Sequence, residues 1–275
     1  MKIYISVDLE GVACVTDWAD IKLEGQEYEQ ARKWMTAETN AAVEGALAAG
    51  ATEVVVADSH GDMRNLLPDE LHEDVLLVRG CPRAEMQMST IDGTFDAVFL
   101  VGYHPMEGAA PAVWSHTMVG LAVNAVRLNG VTVGESAISA AIAGHYGVPV
   151  ALVCGDDCLE TEAAAFLPWT ERVITKWSLG FQAARSLTPK ASQKRIREGA
   201  ERALRRISEM RPFVIETPIR LEVDLKRPRY ADPAADIPGV ERLNGRSLAY
   251  NGADMLEVVR VLRLMINASM RDFYV

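Results

Sequence analysis

Four short, almost uninterrupted apolar runs constrain this 275-residue chain most: Ile3 to Val7, Glu53 to Ala57, Ala97 to Gly102 and Val148 to Val153. Such continuous apolarity predicts strands buried on both faces, as in a parallel sheet. Amphipathic stretches alternate with the runs. Tyr28 to Ala49 carries apolar residues at helical spacing, and Gly50 supplies its C-terminal stop. The alternation predicts an α/β fold, layered α/β/α around a largely parallel central sheet.

Between the third and fourth runs, Leu121 to Leu128 and Val131 to Val133 flank Asn129-Gly130, a strong two-residue hairpin signal. Ser136 to His145 is rich enough in Ala and Ile to form a helix. From about Thr188 the composition shifts. Lys194 to Met210 predicts an Arg/Glu-laced amphipathic helix, Ile219 to Leu225 a strand, and Asp254 to Met270 an apolar-periodic helix. The expected organisation is a catalytic α/β domain over 1–187 and a closely packed C-terminal α+β portion over 188–275, the latter serving packing and oligomerisation.

The residues that follow each apolar run carry the chemistry. The first run ends in Asp8-Leu9-Glu10-Gly11, the second in Asp58-Ser59-His60-Gly61, the third in Gly102-Tyr103-His104 and the fourth in Gly155-Asp156-Asp157. In open α/β sheets the carboxyl ends of the strands face the binding crevice, so these groups are expected to converge. Asp8 and Glu10 stand two apart and point to one side of an extended chain, where they repel unless a cation or a shared proton offsets them. His60 and His104 supply imidazoles, which with carboxylates make mixed N/O metal sites. Each of these residues also has a bland alternative, as a solvated acid or a satisfied structural histidine. Their joint placement at equivalent strand ends favours the metal. Glu135 precedes a helix and fits either a ligand or an acid at a helix N-terminus. His116 lies in a Gly/Ala/Pro-rich loop, where a histidine titrating near neutrality suits acid/base work. His72 and His145 lack strand-end placement and are read as structural. The acids of Gly-Asp-Asp are read as lying in a loop, solvent-facing or behind the ligands.

Several function classes drop out. A formal net charge of −10 disfavours nucleic acid, because neutralising phosphates needs a basic face, and suits a small cationic or zwitterionic substrate better. The opening Met1-Lys2-Ile3-Tyr4 reads as a strand rather than a targeting segment, and no apolar run approaches a bilayer span, so a cytoplasmic protein with no membrane partner is expected. Cys14, Cys81, Cys154 and Cys158 are scattered and read as reduced thiols. There is no His-Glu-x-x-His helix, Gly-x-Ser-x-Gly elbow or phosphate-binding Gly-rich loop.

Taken in order, Ser6-Val7-Asp8-Leu9-Glu10-Gly11, Asp58-Ser59-His60, Gly102-Tyr103-His104, Ser115-His116-Thr117-Met118 and Val133-Gly134-Glu135 resemble the D-aminopeptidase family of the dipeptide-transport-associated type. The resemblance runs over nearly the whole chain. It implies a metal-dependent hydrolase that removes the N-terminal residue of short peptides, with a preference for D-amino acids. It also implies two Zn2+ per subunit, with Mn2+ or Co2+ as alternative ions, held by Asp8, Glu10, His60, His104 and Glu135, with Asp8 as the bridge. His116 matches the family's catalytic histidine, read as an acid/base or a stabiliser of the tetrahedral oxyanion, and Lys176 is a candidate further family position whose bland alternative is a solvated lysine. The implied assembly is a ring-like decamer. Another metal-dependent amidase or a phosphoesterase on the same ligands is the competing function.

Overall fold

The computed structural model describes residues 1–270, so 271–275 of the C-terminal portion lie outside the described residues. Twelve strands run in chain order: β1 (Lys2–Val7), β2 (Glu53–Asp58), β3 (Val75–Val78), β4 (Ala97–Tyr103), β5 (Val123–Leu128), β6 (Val131–Val133), β7 (Val150–Asp156), β8 (Glu171–Gly180), β9 (Ala183–Ser186), β10 (Ile219–Leu225), β11 (Glu241–Arg242) and β12 (Ser247–Gly252). Seven α-helices join them: α1 (Trp18–Ile21), α2 (Tyr28–Ala48), α3 (Glu135–His145), α4 (Asp157–Phe166), α5 (Pro189–Arg205), α6 (Pro228–Ala235) and α7 (Met255–Ser269).

The central sheet has seven strands in the order β3-β2-β1-β4-β7-β8-β9. All its pairings are parallel except β8 with β9. The pleat explains the unbroken apolar runs. Ile3, Ile5 and Val7 of β1, with Phe99 and Val101 of β4, pack in the core that includes α2 and α5. Tyr4 of β1, with Val98 and Leu100 of β4, packs in the core that includes α3, β10 and α7. Both faces are covered, so neither can be polar.

From β1 the chain moves outward to β2 and β3, then crosses back to β4 on the other side of β1 and outward again to β7. The order reverses between β1 and β4, the switch point at which such sheets open a crevice. A second, antiparallel sheet runs β11-β12-β10-β5-β6. It takes β5 and β6 from before residue 188 and β10, β11 and β12 from after it, while α5 lies against α2. The two portions of the chain are therefore interleaved in both layers. Among the described residues no helix is long and apolar enough to cross a membrane.

Several boundaries differ from the sequence expectation for identifiable reasons. The fourth apolar run forms β7, which begins at Val150 rather than Val148 and continues to Asp156. Pro149 precedes it with no N–H to donate, and Gly155 and Asp156 still pair with β8. Gly-Asp-Asp is therefore not a loop. Asp156 is 1% exposed and caps α4 by accepting from Leu159 N, while its other oxygen accepts from Ser178 Oγ. Helix α5 starts at Pro189, suited to a first helical position, and ends at Arg205 rather than Met210. The chain then tightens into a 3-10 turn before Arg211-Pro212, where the approaching proline disfavours helix. The hairpin forms at Asn129-Gly130, both with positive φ (50° and 80°), as the turn demands. The four cysteines are free, and Cys154 is buried.

One buried acid ties three elements together. Glu38 of α2, 1% exposed, accepts from Ala13 N at 3.1 Å and from Ser192 Oγ of α5 at 2.6 Å, leaving Oε2 without a partner. Burial raises its pKa to about 7, the hydrogen bonds from Ser192 and Ala13 opposing. The folded protein thus holds this proton more tightly than the unfolded chain. Stability from the neutral form is full below pH ~4.5 and is lost as pH rises through ~7. Glu38→Gln mimics the protonated acid. It is expected to match the parent at pH 5 and to exceed it at pH 8 by about 3 kcal/mol, at 1.36 kcal/mol per pKa unit. Urea midpoints across that range measure the gap, and parallel pH curves would refute the assignment.

Candidate metal centre

Strand β1 ends at Val7, and Asp8 N still bonds to Val101 O of β4. The chain then turns, with Val12 N on Leu9 O, so Asp8 and Glu10 reach the same side through a turn rather than through the pleat. Gly11 makes this possible. A Cβ there would lie 1.8 Å from Tyr103 O, and Gly11 N donates to Gly102 O. Gly102 has φ +70°, and a Cβ there would lie 2.2 Å from Asp8 O. The ends of β1 and β4 therefore lie backbone to backbone, bringing His104 beside Asp8.

His60 is set by the loop after β2. Asp58 accepts from Asn65 N and Leu66 N, and Asn65 Nδ2 donates to both Asp58 Oδ1 and His60 O. Glu135 opens α3 directly after β6, but its carboxylate does not cap that helix. It accepts from Met118 N at 2.7 Å and stands 3.2 Å from His104 Nε2. The loop carrying His116 holds Trp114 and Met118 at positive φ (49° and 63°), a strained conformation for such side chains.

All six residues singled out in the sequence converge. His60 Nδ1 lies 2.8 Å from Glu10 Oε2 and 3.4 Å from Asp8 Oδ1. His104 Nε2 lies 3.6 Å from Asp8 Oδ2. His116 Nε2 lies 3.8 Å from both Glu10 Oε1 and Glu135 Oε1, and its ring stacks on that of His104 with centroids 3.9 Å apart. His60 and His116 are partly exposed and the other four are buried.

The outer nitrogen of each imidazole faces a main-chain carbonyl: His60 Nε2 on Ile21 O (2.8 Å), His104 Nδ1 on Pro105 O (3.0 Å) and His116 Nδ1 on Trp114 O (2.7 Å). A carbonyl only accepts, so each outer nitrogen carries the proton and each inner nitrogen faces the carboxylates. This arrangement fixes tautomer and ring orientation in metal-binding histidines. Among the described residues, three groups have donor atoms mutually within 4.8 Å: Asp8/Glu10/His60, Asp8/His104/Glu135 and Glu10/His104/His116. The donor set is a mixed N/O one, of the kind that suits zinc and other borderline metals.

Electrostatics separate the six. Burial raises Asp8 to about 7, and the Glu10 charge adds to it. Burial also opposes the charge on Glu10, but His60, His104 and His116 outweigh it and hold that carboxyl well below its usual range. His104 rises to about 10, because Glu135, Glu10 and Asp8 overcome its desolvation. His60 rises for the same kind of reason, beside Glu10 and Asp8. His116 goes the other way. Burial, reinforced by the charge of His104, depresses it, so it stays neutral near pH 7 with a free Nε2 lone pair.

His72 and His145 lie outside these groups; His72 Nδ1 accepts from Asp74 N, and His145 packs edge-on against Tyr146. Lys176 was read from sequence as a solvated lysine or a further family position, and the solvated reading is overturned. It lies on β8, fully buried, with Nζ on the carbonyls of Glu10, Val12 and Val15. Burial lowers it to about 8, against Asp156, Glu38 and Glu10. The β-branched run Val173-Ile174-Thr175 beside it carried the signal of an internal strand. Glu162 of α4 was also missed; it accepts from Met106 N and Ser136 Oγ and braces the segments around His104 and Glu135.

Comparison with known proteins gives a concordant picture. The family model described as D-aminopeptidase matches residues 1–264. A curated D-aminopeptidase from Bacillus subtilis (strain 168) is 31% identical over 275 residues, covering 100% of both chains. Among solved structures, the Zn-dependent D-aminopeptidase DppA from Bacillus subtilis, a self-compartmentalizing protease, superposes with a TM-score of 0.96. Its sequence identity is 31% over 98% of each chain.

Proposed function

The chain belongs to the D-aminopeptidase family, and we propose that it is a dinuclear zinc aminopeptidase releasing the N-terminal residue, preferably a D-amino acid, from short peptides. One observation carries the metal reading. Three imidazoles, locked from behind by carbonyls, aim their inner nitrogens at three buried carboxylates. Asp8, Glu10, His60, His104 and Glu135 are the ligands. Asp8 belongs to two of the three groups, Asp8/Glu10/His60 and Asp8/His104/Glu135, which supports it as the bridge between two ions. Mn2+ or Co2+ suits the same donors. A ring-like decamer is the proposed assembly, in line with the self-compartmentalizing neighbour, and a cytoplasmic location belongs to the same proposal.

Bound ions supply an acidified water and polarise the scissile carbonyl. The chain's own residues do the rest. The carboxylates of Asp8, Glu10 and Glu135 would offset most of the positive charge that two divalent ions bring to the buried centre. His116, with Nδ1–H fixed on Trp114 O, presents Nε2 to accept the proton of the attacking water. It returns that proton to the departing amide nitrogen as the C–N bond breaks. Lys176, the lysine behind the turn of Asp8 and Glu10, is committed to three carbonyls and offers phosphate no partner. That favours amide over phosphate ester.

The test is a panel of D- and L-aminoacyl amides and a phosphate ester, before and after chelation and zinc add-back. Cleavage of D-aminoacyl amides that disappears with chelator and returns with zinc is expected. Phosphatase activity without amide cleavage would sink the reading.

A further inference from the structure

The turn that carries Asp8 and Glu10 is tied down from beneath by a single buried charge. Lys176 Nζ lies 2.5 Å from Glu10 O, 3.0 Å from Val12 O and 2.6 Å from Val15 O. Three acceptors require three N–H donors, so the group is the ammonium. None of the described ion pairs involves it, and its nearest partners are neutral carbonyls, with the carboxylates of Asp156, Glu38, Glu10 and Asp20 contributing charge from further out. The neighbouring Thr175 Oγ1 reaches Gly11 O at 2.7 Å, while Ala13 N and Cys14 N donate to Glu38 and Ser186. The main chain from 10 to 15 is thereby held at nearly every peptide.

We propose that Lys176 is a positioning residue for the metal centre: its ammonium fills a cage of backbone carbonyls as a monovalent cation would, and so fixes the turn that aims Asp8 and Glu10. Without it, three carbonyl dipoles converge on an empty point in the interior and the turn relaxes. Groups behind the ligands typically change metal affinity 10- to 100-fold when removed. The proposal rests on the metal reading above and adds the device that orients two of the ligands.

Lys176→Ala leaves the Cβ and removes a fragment equivalent to n-propylammonium, which defines the test. Zinc affinity is measured by competition with a chromogenic chelator for the parent, Lys176→Ala, and Val173→Ala as a control. Val173 is buried on the same strand, so its truncation destabilises β8 without touching the cage. Lys176→Ala is expected to bind zinc about 10- to 100-fold more weakly and to recover as n-propylammonium is added, whereas uncharged n-propanol has no effect. Val173→Ala lowers the thermal midpoint and leaves zinc affinity unchanged. Unaltered zinc binding by Lys176→Ala overturns the proposal, as does a loss matched by Val173→Ala. A Lys176→Ala chain that stays unfolded even with the amine overturns it too. A parent chain that binds no zinc instead removes the metal reading itself, and this role with it.

Discussion

His104→Ala is expected to lose zinc and, with it, hydrolysis, by on the order of 10³-fold or more in kcat/KM, since an ion supplies several kcal/mol at 1.36 kcal/mol per tenfold. His104 is 1% exposed and belongs to two of the three donor groups, so no other donor substitutes for it. His60→Ala is expected to behave alike, because Nδ1 faces both Asp8 and Glu10. Metal content by atomic spectroscopy decides the case. A His104→Ala protein that keeps a full complement of metal removes this residue from the ligand set. The pH dependence has a definite sign. In the metal-free centre His104 holds its proton to about pH 10 and Asp8 to about pH 7, and both must release it to coordinate. Zinc affinity therefore rises with pH, and binding releases protons.

The second large effect belongs to His116. His116→Ala is expected to retain both ions while kcat falls about 10²- to 10⁴-fold, the usual contribution of a general acid/base. The depressed pKa sets the pH profile. With zinc high enough to keep the centre loaded, activity of the parent falls as pH drops and His116 becomes protonated, a limb that His116→Ala lacks. His116 also shares one donor group with Glu10 and His104. Loss of an ion from His116→Ala would make the residue a ligand and contradict the role assigned to it.

How far the sequence foretold this molecule depended on which residues are governed by local pattern. The runs Ile3 to Val7 and Ala97 to Gly102 announced the parallel sheet because burial on both faces leaves no place for polar residues. Asn129-Gly130 announced its hairpin because the turn needs positive φ at both positions. Asp8, Glu10, His60 and His104 were visible as a set because the carboxyl ends of parallel strands share an edge. Glu135 was not decidable on its own. It comes to the site through β6, a strand of the other sheet, and its meeting with His104 is purely tertiary. Family resemblance proposed it as a ligand, and the geometry sets it beside His104. Lys176 misled for the opposite reason. A lone lysine usually extends to water, and nothing within its strand reveals three carbonyls waiting on a turn far away in sequence. Asp156 misled because a Gly-Asp-Asp string looks like a surface turn until the neighbouring strand continues its ladder.

The hairpin has a consequence for how the chain can change in length. Asn129 is fixed on both sides: its amide donates to Arg220 O, its side-chain oxygen accepts from Arg220 N, and its side-chain nitrogen donates to Glu216 O. From that anchor β6 runs directly to Glu135, with Val131 and Thr132 exposed and Val133 buried. Substitutions at the two exposed positions leave the count intact. An insertion or deletion of one residue does not, because a one-residue slip turns every side chain of a strand to its other face. The segment behaves as a ruler, so the tightest limit on its length comes from a carboxylate beyond the strand's far end.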